Sequence, residues 1–343
     1  MRRLVEASRA PFEVALEAWK SWQTDNPSLA VDLLALRLFP KIYRRFRRSH
    51  PTSVASLRPA FASTILRSRP IFSALEGLVA AWVAAGLEVM LLKGAALRHG
   101  YDFVRPLGDA DVMVRHQDFV RALEVARKLG WAVDSFGKPS PGAHHAVAML
   151  GPSGTYVDLH WTLLFDARWP ADEGVWQRSR RVDLGGLTVR VPEASDCLYH
   201  ICAHGFLVSD PHAWLPDALH LLDFNRIDWE LVFQEARRRA VLPAVAECLF
   251  FLDRESLAKV PAEVLAEFSK ARPALLDRLY FGARRKGFRV SCRVLDFLRH
   301  WRECGLMPIL PGYLRSLRQR GRARNRMGPQ GLQAHSIYAI AGV

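Results

Sequence analysis

The sequence predicts an α/β (α+β) protein, with a small mixed sheet standing between N- and C-terminal helical regions. Two observations predict it. Short apolar runs of strand character cluster in the middle of the 343 residues, at Val89 to Leu92, Val112 to Val114, His144 to Leu150 and Thr155 to Trp161. The chain before about residue 70 and beyond Pro192 has helical periodicity instead. Half of all residues are hydrophobic, which is ample for a core with helical additions.

Residues 1–70 read as helices separated by Pro27, Pro51 and Pro59. Within them, Lys41 to Arg48 interleaves cations with Ile42, Tyr43 and Phe46, a pattern that turns apolar residues inward and arginines to water. An amphipathic helix over Ile71 to Leu87, ending near Gly86, leads into the first strand, Val89 to Leu92. The chain then turns at Lys93-Gly94 into a short helix. Asp109 and Asp111 open the strand that continues to Val114, and the helix Gln117 to Leu129 follows, closed by Gly130. Extended structure resumes over Trp131 to Asp134. His144 to Leu150 and Thr155 to Trp161 pair as a hairpin about Gly-Pro-Ser-Gly, which brings Asp158 beside the Asp109 strand.

Leu184 to Val191, with Gly185-Gly186 at its start, reads as one further short strand. Helices resume with start signals at Pro192-Glu193 and Asp228. Arg315 to Arg326 reads as part of an exposed basic tail. The boundaries expected are an N-terminal helical region over 1–70, a catalytic core over 71–194, a helical domain over 195–300 and the tail over 301–343.

The chemistry concentrates between Leu91 and Val114. Strand side chains alternate, so Asp109 and Asp111 point one way while Ala110, Val112 and Val114 face the core. Free backbone N–H groups at the Lys93-Gly94 turn suit a phosphate, and two hard oxygen ligands beside it describe a Mg²⁺-nucleotide site, with Mn²⁺ as the alternative ion. Downstream, Thr155, Val157, Leu159 and Trp161 share one strand face, and Tyr156, Asp158 and His160 share the other. Asp158 is the candidate third ligand. His160 is open to two readings, an orienting or proton-shuttling group and a histidine hydrogen-bonded at the strand edge. Lys93 and Arg105 are candidates to offset phosphate charge, and Gly94 to let the backbone approach it. Three converging carboxylates repel one another, so loss of either Asp109 or Asp111 is expected to relieve strain where no cation is bound.

At these residues the chain resembles the polymerase-beta-like nucleotidyltransferase superfamily, and within it a bacterial family whose pattern is Lys-Gly, then Arg, then Asp-x-Asp, then Val-Asp-Leu-His-Trp. The matching positions are Lys93-Gly94, Arg105, Gly108-Asp109-Ala110-Asp111 and Val157-Asp158-Leu159-His160-Trp161. The wider superfamily usually has Gly-Ser or Gly-Gly where this chain has Lys93-Gly94. The resemblance extends more loosely over about residues 68–260. It implies a nucleotidyltransferase core using a nucleoside triphosphate (NTP) with Mg²⁺ or Mn²⁺ on Asp109, Asp111 and Asp158. It also implies a brace between helical domain and core, at His204 and Trp214-Leu215-Pro216-Asp217.

Two other classes compete. A glycosyltransferase also uses Asp-x-Asp to hold the metal of a nucleotide sugar, but would need a long strand-helix domain before Asp109. A non-catalytic RNA-binding protein would account for the basic balance, a net charge of +14 with a pI near 10.1. The basic runs, however, lie outside the core and match no nucleic-acid module. Cys197, His200 and His204, with Asp217 nearby, imitate a zinc site at helical spacing, but no Cys-x-x-Cys or His-Glu-x-x-His signature accompanies them, so helix packing is the expectation. Five cysteines without a Cys-x-x-Cys pair, no signal-peptide core and no membrane-length apolar run point to a cytoplasmic protein. The acceptor is left open among small molecules, peptides and proteins, with nucleic acid reached through the basic tail as a further partner.

Overall fold

The computed structural model describes residues 1–26, 32–133, 145–164, 172–205, 212–285, 295 and 298. The basic tail over 301–343 and the expected strand ends at Asp134 and His144 lie outside the described residues.

Three helices come first, α1 (Arg2–Arg9), α2 (Phe12–Asp25) and α3 (Leu33–Phe46). Asp32 caps α3, its carboxylate accepting from the Ala35 N–H at 2.8 Å. Ile42 and Phe46 are fully buried, as their spacing requires. Arg47 and Arg48 are exposed as expected, while the other three cations have partners. Lys41 Nζ lies 3.1 Å from Asp223, Arg44 grips Asp102 through two nitrogens at 3.1 and 2.8 Å, and Arg45 donates to the Ala10 carbonyl.

The next helix, α4 (Arg58–Ala84), is 27 residues long and corrects two expectations. Pro59 starts it instead of separating helices, because a proline in the first turn forfeits an N–H that has no partner there. Pro70 lies inside it. The carbonyl deprived of a partner belongs to Leu66, which is 62% exposed, so water can satisfy it and the helix continues past residue 70.

Then follow β1 (Val89–Leu92), α5 (Lys93–Gly100), β2 (Ala110–Val114), α6 (Phe119–Lys128), β3 (Ala132–Val133), β4 (Ala146–Leu150) and β5 (Tyr156–His160). After α7 (Glu173–Arg178) come β6 (Arg180–Leu184) and β7 (Leu187–Val191). The strand expected over 184–191 is β7, shortened at its start and paired in a hairpin with the unexpected β6. Gly185 and Gly186 both have positive φ, +60° and +86°, which suits a tight two-residue hairpin turn. The remaining helices are α8 (Ala194–Gly205), α9 (Leu215–Phe224), α10 (Trp229–Arg238), α11 (Leu242–Arg254), α12 (Ala262–Lys270) and α13 (Leu275–Arg285). Among the described residues, no helix is long and apolar enough to cross a membrane.

The seven strands form one mixed sheet in the order β3-β4-β5-β2-β1-β7-β6. β2 runs antiparallel to β1 and parallel to β5, with Asp111 opposite Leu92 on one side and Asp158 on the other. Alternation then divides the core. Val89, Leu91, Ala110, Val112, Val157 and Leu159 pack with Trp82 of α4 and Leu123 of α6. Met90, Leu92 and Met113 on the opposite face join a separate cluster built from α1–α3 and α8–α13. Helices from both ends of the chain thus share one core over the face that carries Asp111.

Candidate active site

β1 ends in a turn whose backbone is unusual for its residue type. Lys93 has φ +44°, a left-handed conformation that costs a non-glycine residue free energy. From that turn its side chain reaches β2, and Lys93 Nζ stands 2.6 Å from Asp111 Oδ1. Asp111 is buried within β2 and shares the same oxygen with His160 Nε2, 3.1 Å away. His160 is 1% exposed and its Nδ1 has no hydrogen-bond partner. Asp158 sits two residues before it on β5, opposite Asp111, so all three side chains rise from the same sheet face. One donor atom from each of Asp111, Asp158 and His160 falls within 4.8 Å of the others. β4 flanks them with small residues, Ala148 opposite Asp158 and Ala146 opposite His160.

Asp109 stands just before β2, half-buried, and its carboxylate is not part of that close group. Its electrostatics nevertheless belong to the site. Burial, then the Asp111 charge, raise its pKa, against the pull of Lys93, Arg105 and Arg37. Asp158 is pushed up to about 7 by burial, then by Asp111 and Asp109. Asp111 behaves oppositely. Burial opposes its ionisation, but the Lys93 ammonium and the His160 hydrogen bond outweigh it and hold the carboxyl well below the usual range. Burial lowers His160, as it does its neighbour His145, whose ring lies 5.2 Å from that of His160.

Arg105 and Gly94 serve each other. The Arg105 fork is engaged by Asp217 in the first turn of α9, with Nη2 donating to Oδ2 at 2.8 Å and Nε 2.7 Å from Oδ1 in the same ion pair. Both side chains are less than a tenth exposed. A Cβ on Gly94 would come within 2.3 Å of Leu107 Cδ2 and 2.9 Å of Arg105 Nη2, so glycine makes room for packed side chains. The Arg105–Asp217 pair links the helices to the sheet, where the motif resemblance placed a brace.

Cys197, His200 and His204 lie along α8. Cys197 Sγ donates to the Pro192 carbonyl at 3.7 Å, and the two imidazoles are 6.1 Å apart. His200 is buried with Nε2 unpartnered, and both histidines feel the Lys93 charge. Sequence reasoning did not find His145 or Arg37 beside the site. His145 carries no motif, and Arg37 comes from α3, whose fold over the sheet no local pattern announces; its guanidinium donates to the Ala213 carbonyl next to α9.

A model of the uncharacterised nucleotidyltransferase family matches residues 34–255, from α3 to the end of α11. The chain belongs to that family. It is a nucleotidyltransferase, and the matched span takes in the sheet with α3 and α8–α11 of the helical cluster over its Asp111 face. No curated protein shows significant sequence similarity to it. Two solved structures of the antibiotic-resistance factor ANT(2'')-Ia are similar to this nucleotidyltransferase at 13% identity. A crystal structure in complex with adenylyl-2''-tobramycin has a TM-score of 0.34 over 51% of this chain and 95% of that one. A solution structure has the same TM-score over 54% and 92%.

Proposed function

We propose that this nucleotidyltransferase transfers a nucleoside monophosphate from an NTP to a hydroxyl or similar nucleophile on a small molecule, peptide or protein, releasing pyrophosphate in a metal-dependent reaction. The observation that carries the reading is the convergence of Asp111, Asp158 and His160 with Lys93 at the end of β1. The donor set fits a divalent cation, since burial and then the neighbouring carboxylates raise Asp158 to about 7, and a positive charge between the carboxylates relieves their repulsion. Asp111 and Asp158 would hold that cation, with Asp109 at the mouth of the strand. Bound there, it supplies positive charge to the phosphates and lowers the pKa of the attacking group.

The chain's own groups divide the remaining work. Lys93 exchanges Asp111 for the phosphates of the incoming nucleotide, a point charge on a flexible stem. Asp158 accepts the acceptor's proton at a carboxylate oxygen as the acceptor oxygen bonds to the α-phosphorus. The bond to the bridging oxygen breaks and pyrophosphate leaves with its electron pair. With a cation beside it Asp158 would be ionised, and its second carboxylate oxygen would serve as the base. Arg105, held by Asp217, adds positive field from the side and positions the Lys93-Gly94 turn.

Family membership leaves the glycosyltransferase and non-catalytic RNA-binding readings without support. The test is incubation with each α-labelled NTP and Mg²⁺ or Mn²⁺, followed by a search for labelled small molecules, peptides, protein and RNA. Labelled product that disappears with Asp111→Asn supports the reading. Release of terminal phosphate without nucleotidyl product would replace it with NTP hydrolysis.

A further inference from the structure

We propose that His160 ligates the metal through Nε2, and that the site therefore prefers Mn²⁺ to Mg²⁺. This rests on the metal-dependent reading above and deepens it. The sequence treats His160 as an orienter, a shuttle or a strand-edge residue; the geometry puts it among the donors. Its Nε2 points at the carboxylate that ligates, 3.1 Å from Asp111 Oδ1, and lies with Asp111 and Asp158 oxygens inside a 4.8 Å group. The ring is fixed there, only 1% exposed, and β4 places an alanine beside it. Lys93 Nζ, 2.6 Å from the same Asp111 oxygen, shows that this position already attracts a cation.

Nδ1, without a side-chain partner and beside the Thr162 backbone, is the second observation. An imidazole that gives Nε2 to a metal carries its remaining proton on Nδ1, so a bound cation would take the place of the proton that Nε2 now donates to the ionised Asp111 carboxylate, and the Thr162 backbone stands beside the ring to hold the proton that remains. A donor set of two carboxylates and one imidazole has consequences for the ion. Mg²⁺ takes oxygen ligands in a strict octahedron, whereas Mn²⁺ accepts both carboxylate oxygen and imidazole nitrogen. An all-carboxylate site lacks the nitrogen donor that adds to this preference.

The test uses the full-length protein without nucleotide. Mn²⁺ is added and followed by electron paramagnetic resonance, with pulsed measurement of coupling to ¹⁴N and replacement by ¹⁵N-histidine. The expected result is directly coordinated histidine nitrogen and displacement of Mn²⁺ only by Mg²⁺ in roughly tenfold or greater excess. The wild-type spectrum decides the ligand without any variant. His160→Gln should abolish the nitrogen coupling and narrow the ion preference, while His145→Gln and His204→Gln keep both. Bound Mn²⁺ without nitrogen coupling would overturn the proposal and leave nucleotidyl transfer standing. Nitrogen coupling that survives His160→Gln would equally overturn it. Nitrogen-coupled Mn²⁺ in a protein that labels no acceptor would instead count against the transfer reading alone.

Discussion

Asp111 and Asp158 face each other across two strands and are driven in opposite directions, which makes their substitutions opposite in effect. Asp111 is the partner of Lys93 and His160. Asp111→Asn should therefore abolish transfer and also destabilise the metal-free protein by about 1–3 kcal/mol, as a charged hydrogen bond is lost beside a largely buried lysine. Thermal unfolding without metal measures this, and an unchanged midpoint would refute it. The relief of repulsion expected from losing either member of Asp-x-Asp is therefore predicted for Asp109, whose pKa is raised, and the opposite for Asp111. Asp158 supplies a pH signature. Its folded value of about 7 lies above the ordinary carboxylate range, so between that range and neutrality the folded protein holds a proton that the unfolded chain has lost. Stability should fall as pH rises through that window. Asp158→Asn, or saturating metal, should flatten the slope; a slope unchanged by either would show that another group causes it. Lys93→Ala is expected to tighten metal binding in the absence of nucleotide and to weaken triphosphate use, a pair of signs that calorimetry and turnover can separate.

Helices and strands show where local patterns suffice. The alternation of Val157-Asp158-Leu159-His160 was legible because one face of β5 is apolar and the other is not. The Gly-Pro-Ser-Gly turn announced the β4–β5 pairing, but the parallel pairing of β5 with β2 that sets Asp158 beside Asp111 is carried by no local signal. The length of α4 was not legible, since Pro70 is a helix breaker unless the freed carbonyl reaches water, a matter of tertiary exposure. The β6–β7 hairpin was hidden because two glycines look alike at a strand's start and at a turn. Arg105 is the instructive case at the site. Its motif position suggests phosphate, but its bidentate partner comes from α9, far along the chain. Asp217→Ala would leave that guanidinium buried without a counter-charge, a change expected to cost about 3–5 kcal/mol and measurable by urea unfolding. Retained stability would mean that water or another acid takes Asp217's place. Transfer should weaken in parallel, as the Gly94 turn loses the side chain packed against it.

At the scale of the molecule, the +14 net charge and the site are separate matters. Deleting residues 315–343 removes many arginines but should leave turnover with a small diffusible acceptor nearly intact, because fields beyond a Debye length of ~8 Å are screened at physiological salt. If the deletion cuts turnover steeply at low salt and less at high salt, the acceptor is a polyanion such as RNA. A salt series on both proteins distinguishes the two.

The shared core of the two chain ends also governs how the protein is made. Arg9 bonds Asp223 and the Leu257 carbonyl, and Lys41 bonds the same aspartate. As α1–α3 leave the ribosome, Trp19, Trp22 and Phe39 can cover one another, but Arg9 and Lys41 have no counter-charge until α9 has been synthesised. The nascent chain carries the rest of that shared apolar surface uncovered over the interval in which chaperones act. A chain stalled at residue 205 would hold every strand and every carboxylate of the site, yet remain in a chaperone's keeping.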